Sequence, residues 1–458
     1  MKKTVLILTT LILTVAILFS FAACNPTGEQ LKSKYADAIE QEMRGSFDFF
    51  WKEAQTSANY PNAYGLVPDR ASEYATGDVA SIASVGFGLA AYVVGAEEGY
   101  VTKAEAMERT VGTLKTVKRL QESDTAVSHE GFLTHFVDMK TGARANGSEI
   151  SSIDTAIMLC GALTAGEYFG GEVKTLAEEI YANVNWTAMR INKGGQKCIA
   201  MTFAYNNGQF GSPVTPWDFY AEQLMIYVLG AGSPTEAYRL DDAEYYAFTR
   251  KQGVYKGHKF YYSWFGSIFT YQFSHAFVDF NGLVDKKGTD WWDNSLQASL
   301  AAYEYCRDNA NKYETYAKGG WGLTACDVSG GYSGKLGAEP RGWNSNEDAS
   351  YSKIAGTVAP CGAIGSVVFT PEQSLKALKY YQTDKTLSSR LNGKYGLLDS
   401  YNLEPRWFAG DYIGIDKGIS IVMLANYKSG SVWEQFMANQ YVTNGLRALG
   451  IDPIATPN

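Results

Sequence analysis

The chain has 458 residues, 46% of them hydrophobic and 19% charged, enough apolar material for one large core or two ordinary ones and too much for general disorder. Forty Lys+Arg against 48 Asp+Glu leave a net charge of −8; no long basic run supplies the concentrated positive field that nucleic-acid phosphates require. Four His and six Cys occur without an HExxH, a CxxC pair or a GxxxxGK[ST], so zinc proteases, zinc ribbons and P-loop enzymes are excluded, and neither a metal nor a cofactor is expected.

In chain order, the first element is an address. Lys2 and Lys3 precede an apolar run from Val5 to Phe21, followed by Ala22-Ala23-Cys24. A basic start, an apolar stretch and small residues before a cut describe an export signal over residues 1–23. The Cys at the cut resembles a bacterial lipobox, although Phe21 stands where Leu is usual. Cys24 is therefore the expected lipidation site, tying an exported lipoprotein to a membrane, periplasmic or at the cell surface, through a linker over 24–34. No second apolar stretch of about 20 residues follows. The five remaining Cys are an odd, widely spaced set and make no disulfide framework.

Residues 35–448 carry no Pro/Ser linker and read as one domain, with 449–458 as a tail. Apolar periodicity predicts helices near 31–54, 78–95, 103–122, 149–169, 172–184, 216–230, 241–250 and 268–279, then near 289–310, 359–367, 371–382, 415–427 and 430–448. Thr215-Pro216-Trp217-Asp218 and Thr370-Pro371-Glu372-Gln373 look like helix starts. About a dozen helices with few alternating runs mean an all-α fold, and two concentric helical rings are one way to pack them. A hairpin is allowed at 196–210. The loops 55–77, 188–215, 251–267 and 318–358 are rich in Gly, Trp, Tyr and Asn, and the last is too long for a plain connector.

Three acids stand out. Asp154 opens a strongly apolar helix; Glu222 leads into LMIYVLG; Asp416 lies in WFAGDYIGIDKG with Asp411 and Trp407. On one predicted helix, Asp218 and Glu222 share a face, Asp218 serving the cap and Glu222 pointing toward a drier place. Burial raises a carboxyl pKa and makes it a candidate proton donor. Each acid also has an ordinary structural reading, as a helix-start or solvated residue. His275 and Asp279, four apart, read as a pair that either orients a substrate hydroxyl or satisfies itself. His129 and His135 flank a loop with no nucleophile motif. Acids among Trp and Tyr on an exported chain point to sugar: pyranose C–H faces stack on aromatic rings, and glycosidic cleavage needs one protonated and one ionised carboxyl. Loop residues Trp264, Trp321, Trp343 and Trp407 are poorly explained by helix packing alone.

Seven ordered blocks sharpen this: YGLVPDR (64–70), SEISSIDTAIMLCGAL (148–163), WDFYAEQLMIYVLGAGSPT (217–235), FTYQFSHAFVDF (269–280), GWGLTACDVSGGY (320–332), GTVAPCGAIGSVVFTPEQSLKALKYY (356–381) and YGLLDSYNLEPRWFAGDYIGIDKG (395–418). Over residues 35–445 the chain resembles the glucoamylase-like family that contains glycoside hydrolase family 144, the β-1,2-glucanases. The resemblance implies an (α/α)6 toroid with its cleft at one end. It also implies hydrolysis of β-1,2-glucan or sophoro-oligosaccharides with inversion. Carried over by block, Glu222 is the expected general acid and Asp154 or Asp416 the base, with Ala221 where relatives often have Ser. Arg70, Asp69, Trp217, Tyr271, Gln272, His275, Trp321, Asp327, Trp407 and Asp411 are the expected substrate-binding residues. Relatives that transglycosylate keep another reaction, or another β-glucan, open. A non-catalytic sugar-binding lipoprotein is the competing class.

Overall fold

The computed structural model describes residues 26–123 and 125–454. The export signal and Cys24 lie outside the described residues. The described residues up to Ala36 form a compact unit of their own, and those from Asp37 onward form the other. In the first, the helix Gly28–Lys34 starts at a capping box in which the Thr27 hydroxyl accepts from the Gln30 N–H and the Gln30 side chain accepts from the Thr27 N–H.

The second unit is built on helices buried on nearly every face: Ile82–Glu97, Ser152–Phe169, Leu224–Gly232, Phe273–Phe277, Pro360–Ile364 and Gly414–Ser429. Amphipathic helices such as Ala36–Glu53, Lys103–Gln121, Gly171–Ala182, Trp291–Asp308 and Pro371–Thr383 cover them with one apolar face each. This is the α/α toroid, with apolar helices inside and amphipathic helices outside. Where Ile82–Glu97 crosses Ser152–Phe169, a Cβ on Gly161 would stand 1.9 Å from the Gly86 carbonyl oxygen. Only paired glycines allow the two backbones that close.

The sheets are small antiparallel pieces between helices. The largest joins Arg190–Lys193, Gln196–Asn206 and Gln209–Pro216. It turns at Asn207-Gly208, both left-handed with φ of 52° and 82°, the signature of a two-residue primed hairpin turn. The hairpin expected at 196–210 is present and runs further. It overturns the helix expected from 216: Thr215-Pro216 ends a strand, and the helix begins only at Leu224. Near 241–250 only Asp242–Tyr245 is helical, because the chain then runs extended to bridge Thr249 with Phe219. The segment 268–279 divides into a 3-10 turn, Ile268–Tyr271, and the short helix Phe273–Phe277. Residues Ile451–Pro453, within the expected tail, form a strand against Leu283–Asp285. The five cysteines beyond Cys24 are all buried and unpaired.

Candidate active site

The acids gather where the inner helices begin. Asp154 is in the first turn of Ser152–Phe169, and Asp416 in the first turn of Gly414–Ser429. Glu222 immediately precedes Leu224–Gly232. Inner helices that share a direction present their N-termini, with their partial positive charge, at one end of the ring.

Glu222 is held by its own segment. The Trp217 N–H donates to the Ile199 carbonyl, Thr249 N to Asp218 O and Tyr220 N to Thr249 O. Buried Gln223 closes the turn, accepting from Ala221 N at 2.7 Å and donating to Phe219 O at 2.9 Å. The Ser274 hydroxyl donates to the Glu222 carbonyl at 2.6 Å and accepts from Met225 N at 3.0 Å. The expected common helix face for Asp218 and Glu222 is therefore wrong. Neither residue is helical, and Asp218 pairs instead with Lys193.

Glu222 lies against a cleft of about 590 Å³ whose lining is mostly apolar and aromatic, with Trp217, Phe219, Trp264, Phe265, Phe269 and Tyr332. Trp264 and Tyr332 are each 51% exposed, so their faces are open to a ligand. The loop 318–358 builds part of this wall, contributing Ala325, Tyr332 and Gly334. It also braces Trp264, whose carbonyl accepts from Trp343 N at 2.8 Å. Burial pushes the Glu222 carboxyl up to about 7; its own N–H opposes the shift and the negative charge of Asp154 adds to it.

Asp154 accepts from the Ser151 hydroxyl, and its Oδ1 is 3.5 Å from His135 Nε2. Arg70 bridges two further acids, with Nη1 3.2 Å from Asp327 Oδ2 and 3.1 Å from Asp411 Oδ2, while its Nε is 3.5 Å from Asp69 Oδ2. The strand pair Arg70–Ser72 with Asp411–Ile413 sets this clamp. Burial pushes Asp69 above the ordinary carboxylate range, against the pull of Arg70 and His135.

Asp416 is more enclosed. It shares a buried pocket of about 10 Å³, room for roughly one water, with Asp399, Cys361, Glu42 and Lys417. The Asp399 carboxyl accepts from Asp327 N at 2.7 Å and Ser400 Oγ at 2.8 Å. Burial and the neighbouring Asp416 drive Asp399 well above its usual range. Burial also raises Asp416, against hydrogen bonds from Asp399 and Cys361.

Of the expected residues, the structure places Trp217 and Glu222 on the cleft wall, Asp154 close enough for its charge to act on Glu222, Asp69, Arg70, Asp327 and Asp411 together in the Arg70 clamp, and Asp416 in its own pocket. Trp217 lines the cleft and donates from its indole to Ser152 Oγ at 3.1 Å. It does not bring Tyr271, Gln272, His275 or Trp321 to the cleft wall. Tyr271 is buried, its hydroxyl accepting from Ser263 N at 2.8 Å. Gln272 ties inner elements together, donating to Gly362 O at 2.7 Å and Ser366 Oγ at 2.8 Å. His275 is buried against Ser295 Oγ at 2.9 Å, and burial holds it down at about 3. The expected His275–Asp279 pair does not form: the helix stops at Phe277, and Asp279 accepts from Asn281 N. Trp321 is buried beside a separate pocket with Tyr303 and Tyr380. Trp407 lies in a two-residue strand opposite Asn402, outside the residues lining the cleft. Sequence reasoning missed His135, Glu149 and Asp399. His135 was passed over for want of a nucleophile beside it, and its partners are distant or on another turn.

A ring of apolar helices with carboxyls at their N-terminal ends and an aromatic-walled cleft beside them defines the glucoamylase class of fold. Residues 215–440 match the family described as “Putative glucoamylase”, and the chain is similar to this glucoamylase-like family. It is 25% identical over 452 residues to an exo β-1,2-glucooligosaccharide sophorohydrolase (non-reducing end) of Parabacteroides distasonis, covering 90% of this chain and 57% of that protein. The solved endo-β-1,2-glucanase of Chitinophaga pinensis, in complex with sophorotriose and glucose, superposes with a TM-score of 0.77 at 25% identity, covering 91% of this chain and 98% of that one. A Bacteroides uniformis protein that shares the family's description superposes with a TM-score of 0.78 at 27% identity, covering 92% of this chain and 98% of that one.

Proposed function

We propose that the protein is a glycoside hydrolase that cleaves β-1,2-linked glucan or sophoro-oligosaccharides. The observation that carries the reading is Glu222: a carboxyl raised to about 7 at an aromatic-walled cleft, with Asp154 beside it. Likeness to proteins named for β-1,2-glucan cleavage supports the substrate class. Glu222, protonated below about 7, gives its proton to the glycosidic oxygen as the C–O bond breaks. An ionised carboxylate, Asp154 or Asp416, takes a proton from the attacking water, and the anomeric configuration inverts. Trp264 and Tyr332 stack on pyranose faces. Arg70, held by Asp327 and Asp411, and Asp69 meet sugar hydroxyls.

Purified protein incubated with β-1,2-glucan is expected to release short sophoro-oligosaccharides. Sophorose alone from chain ends would mark exo attack, mixed lengths endo attack, and lengthened or cyclic products transglycosylation. Cleavage of a different glucan with these substrates untouched would overturn the substrate assignment. Sign and order follow from Glu222: kcat/KM falls as pH rises past about 7, because the donor loses its proton. Asp154→Asn and Asp416→Asn separate the two candidate bases, the true one losing turnover at every pH.

We also propose that the chain is exported and lipid-anchored through Cys24. Labelled fatty acid should be incorporated into the wild type and not into Cys24→Ser; equal labelling of both would reject the anchor.

A further inference from the structure

His135 takes no part in the chemistry described so far, yet nearly every atom of it is fixed. Its carbonyl accepts from Ile82 N at 3.1 Å, at the start of an inner helix, and its N–H donates to Glu149 O at 2.9 Å. Its ring stacks on Phe136 with centroids 3.7 Å apart and planes 17° from parallel. Nδ1 is 3.0 Å from Glu149 Oε1, and Nε2 is 3.5 Å from Asp154 Oδ1. A carboxylate can only accept, and a neutral imidazole has one N–H. With acceptors on both ring nitrogens, either neutral tautomer turns a lone pair on a carboxylate. Only the imidazolium satisfies both.

The charged groups around the ring agree. Glu149 and Asp154 face its two nitrogens, and Asp69 adds a third negative charge from the segment before Arg70–Ser72. The nearest cations, Arg70 and Arg144, act on Asp69 and Glu149. Burial pulls the His135 pKa down, but Asp154, Glu149 and Asp69 outweigh it and push it up to about 9.

We propose that His135 is a positioning residue, a standing cation that meets Glu149 and Asp154 at its two ring nitrogens and so holds the Asp154 carboxylate in one orientation. This rests on the hydrolase reading above only for its kinetic consequence. Without His135, the Asp154 carboxylate is free to turn, and turnover falls while substrate binding is little changed.

Two measurements test it. The chain has four histidines, so their ring protons can be followed by NMR in the wild type. One imidazole is expected to stay protonated until about pH 9, and its signal should vanish in His135→Gln. If every titrating histidine loses its proton below about pH 7.5, near the ordinary range, the proposal is overturned, whether or not any glucan is cleaved. The second measurement is kcat and KM separately for β-1,2-linked oligosaccharides. His135→Gln should lower kcat by about 10–100-fold with KM little changed, and His135→Lys should restore part of the loss. Unchanged kcat, or a loss that Lys does not recover, would mean that the ring serves packing alone and would overturn the proposal. Should the wild type fail to cleave the substrate, the hydrolase reading falls while the NMR result still decides the charge on His135.

Discussion

Two carboxyl clusters sit at the helix starts of this ring, and they solve the same electrostatic problem differently. Around Asp154, a histidine separates the acids: His135 stands between Asp154 and Glu149, and Glu222, which feels the charge of Asp154, lines a cleft of about 590 Å³. Around Asp416, two acids, Asp399 and Asp416, line a pocket of about 10 Å³ and are both raised above the usual carboxylate value, while the only ammonium there, among the residues lining it, pairs with Glu42. Low-dielectric surroundings make an uncompensated charge costly, so the acids of the closed cluster are pushed toward their neutral forms. In the other cluster a histidine is placed to offset the carboxylates.

The largest expected effect falls on the open side. Glu222→Gln preserves shape and removes the donor, so kcat should fall by about 10²–10⁴-fold with binding of a sophoro-oligosaccharide nearly intact. Turnover close to wild type would remove Glu222 from the acid role. On the closed side, Lys417→Met leaves Glu42 buried without its partner. The expected loss is about 3–5 kcal/mol, read as a fall in the urea midpoint; a change under about 1 kcal/mol would mean that this pair does not hold the ring.

Smaller is the effect of Asp399→Asn, which mimics the protonated acid. The sign is definite. Asp399 is raised in the fold above its ordinary 3.8, so its favourable contribution is complete below that value and is lost as pH rises toward the folded value. Between pH 5 and 8 the wild type should lose at least about 1 kcal/mol more stability than the Asn variant. Parallel stability curves would show that Asp399 is not raised in the fold. The smallest effect concerns the cleft wall: Trp264→Ala should raise KM about 2–10-fold, with kcat within a factor of about two of wild type. An unchanged KM would move sugar stacking away from Trp264.

Much of this was readable from the chain because it is local. A fully apolar run such as that from Ile82 or Leu224 can be stable only inside, and runs with one polar face must cover it. Asn207-Gly208 encodes its hairpin turn in two residues. Other readings failed where long-range pairing competed with local preference. The Thr215-Pro216 cap signal lost to a strand ladder reaching back to Ala200. The 275–279 spacing lost its meaning once the helix ended at Phe277. The family blocks located Glu222 and Asp154, but they could not separate cleft residues from buried neighbours such as Gln272 and Tyr271. Both kinds lie in the same aromatic stretches.

Hydrophobic periodicity and turn chemistry thus settled that the chain is mostly helical and furnished with acids where apolar helices begin. Those are properties of neighbours along the backbone, and near neighbours meet whatever the rest of the chain does. Charge states belong to the folded molecule. Asp399 lies 17 positions before Asp416, and His135 lies 19 before Asp154. Which carboxyl meets a cation and which meets another carboxyl depends on loops closing across the ring, and burial and distance exist only after they have closed.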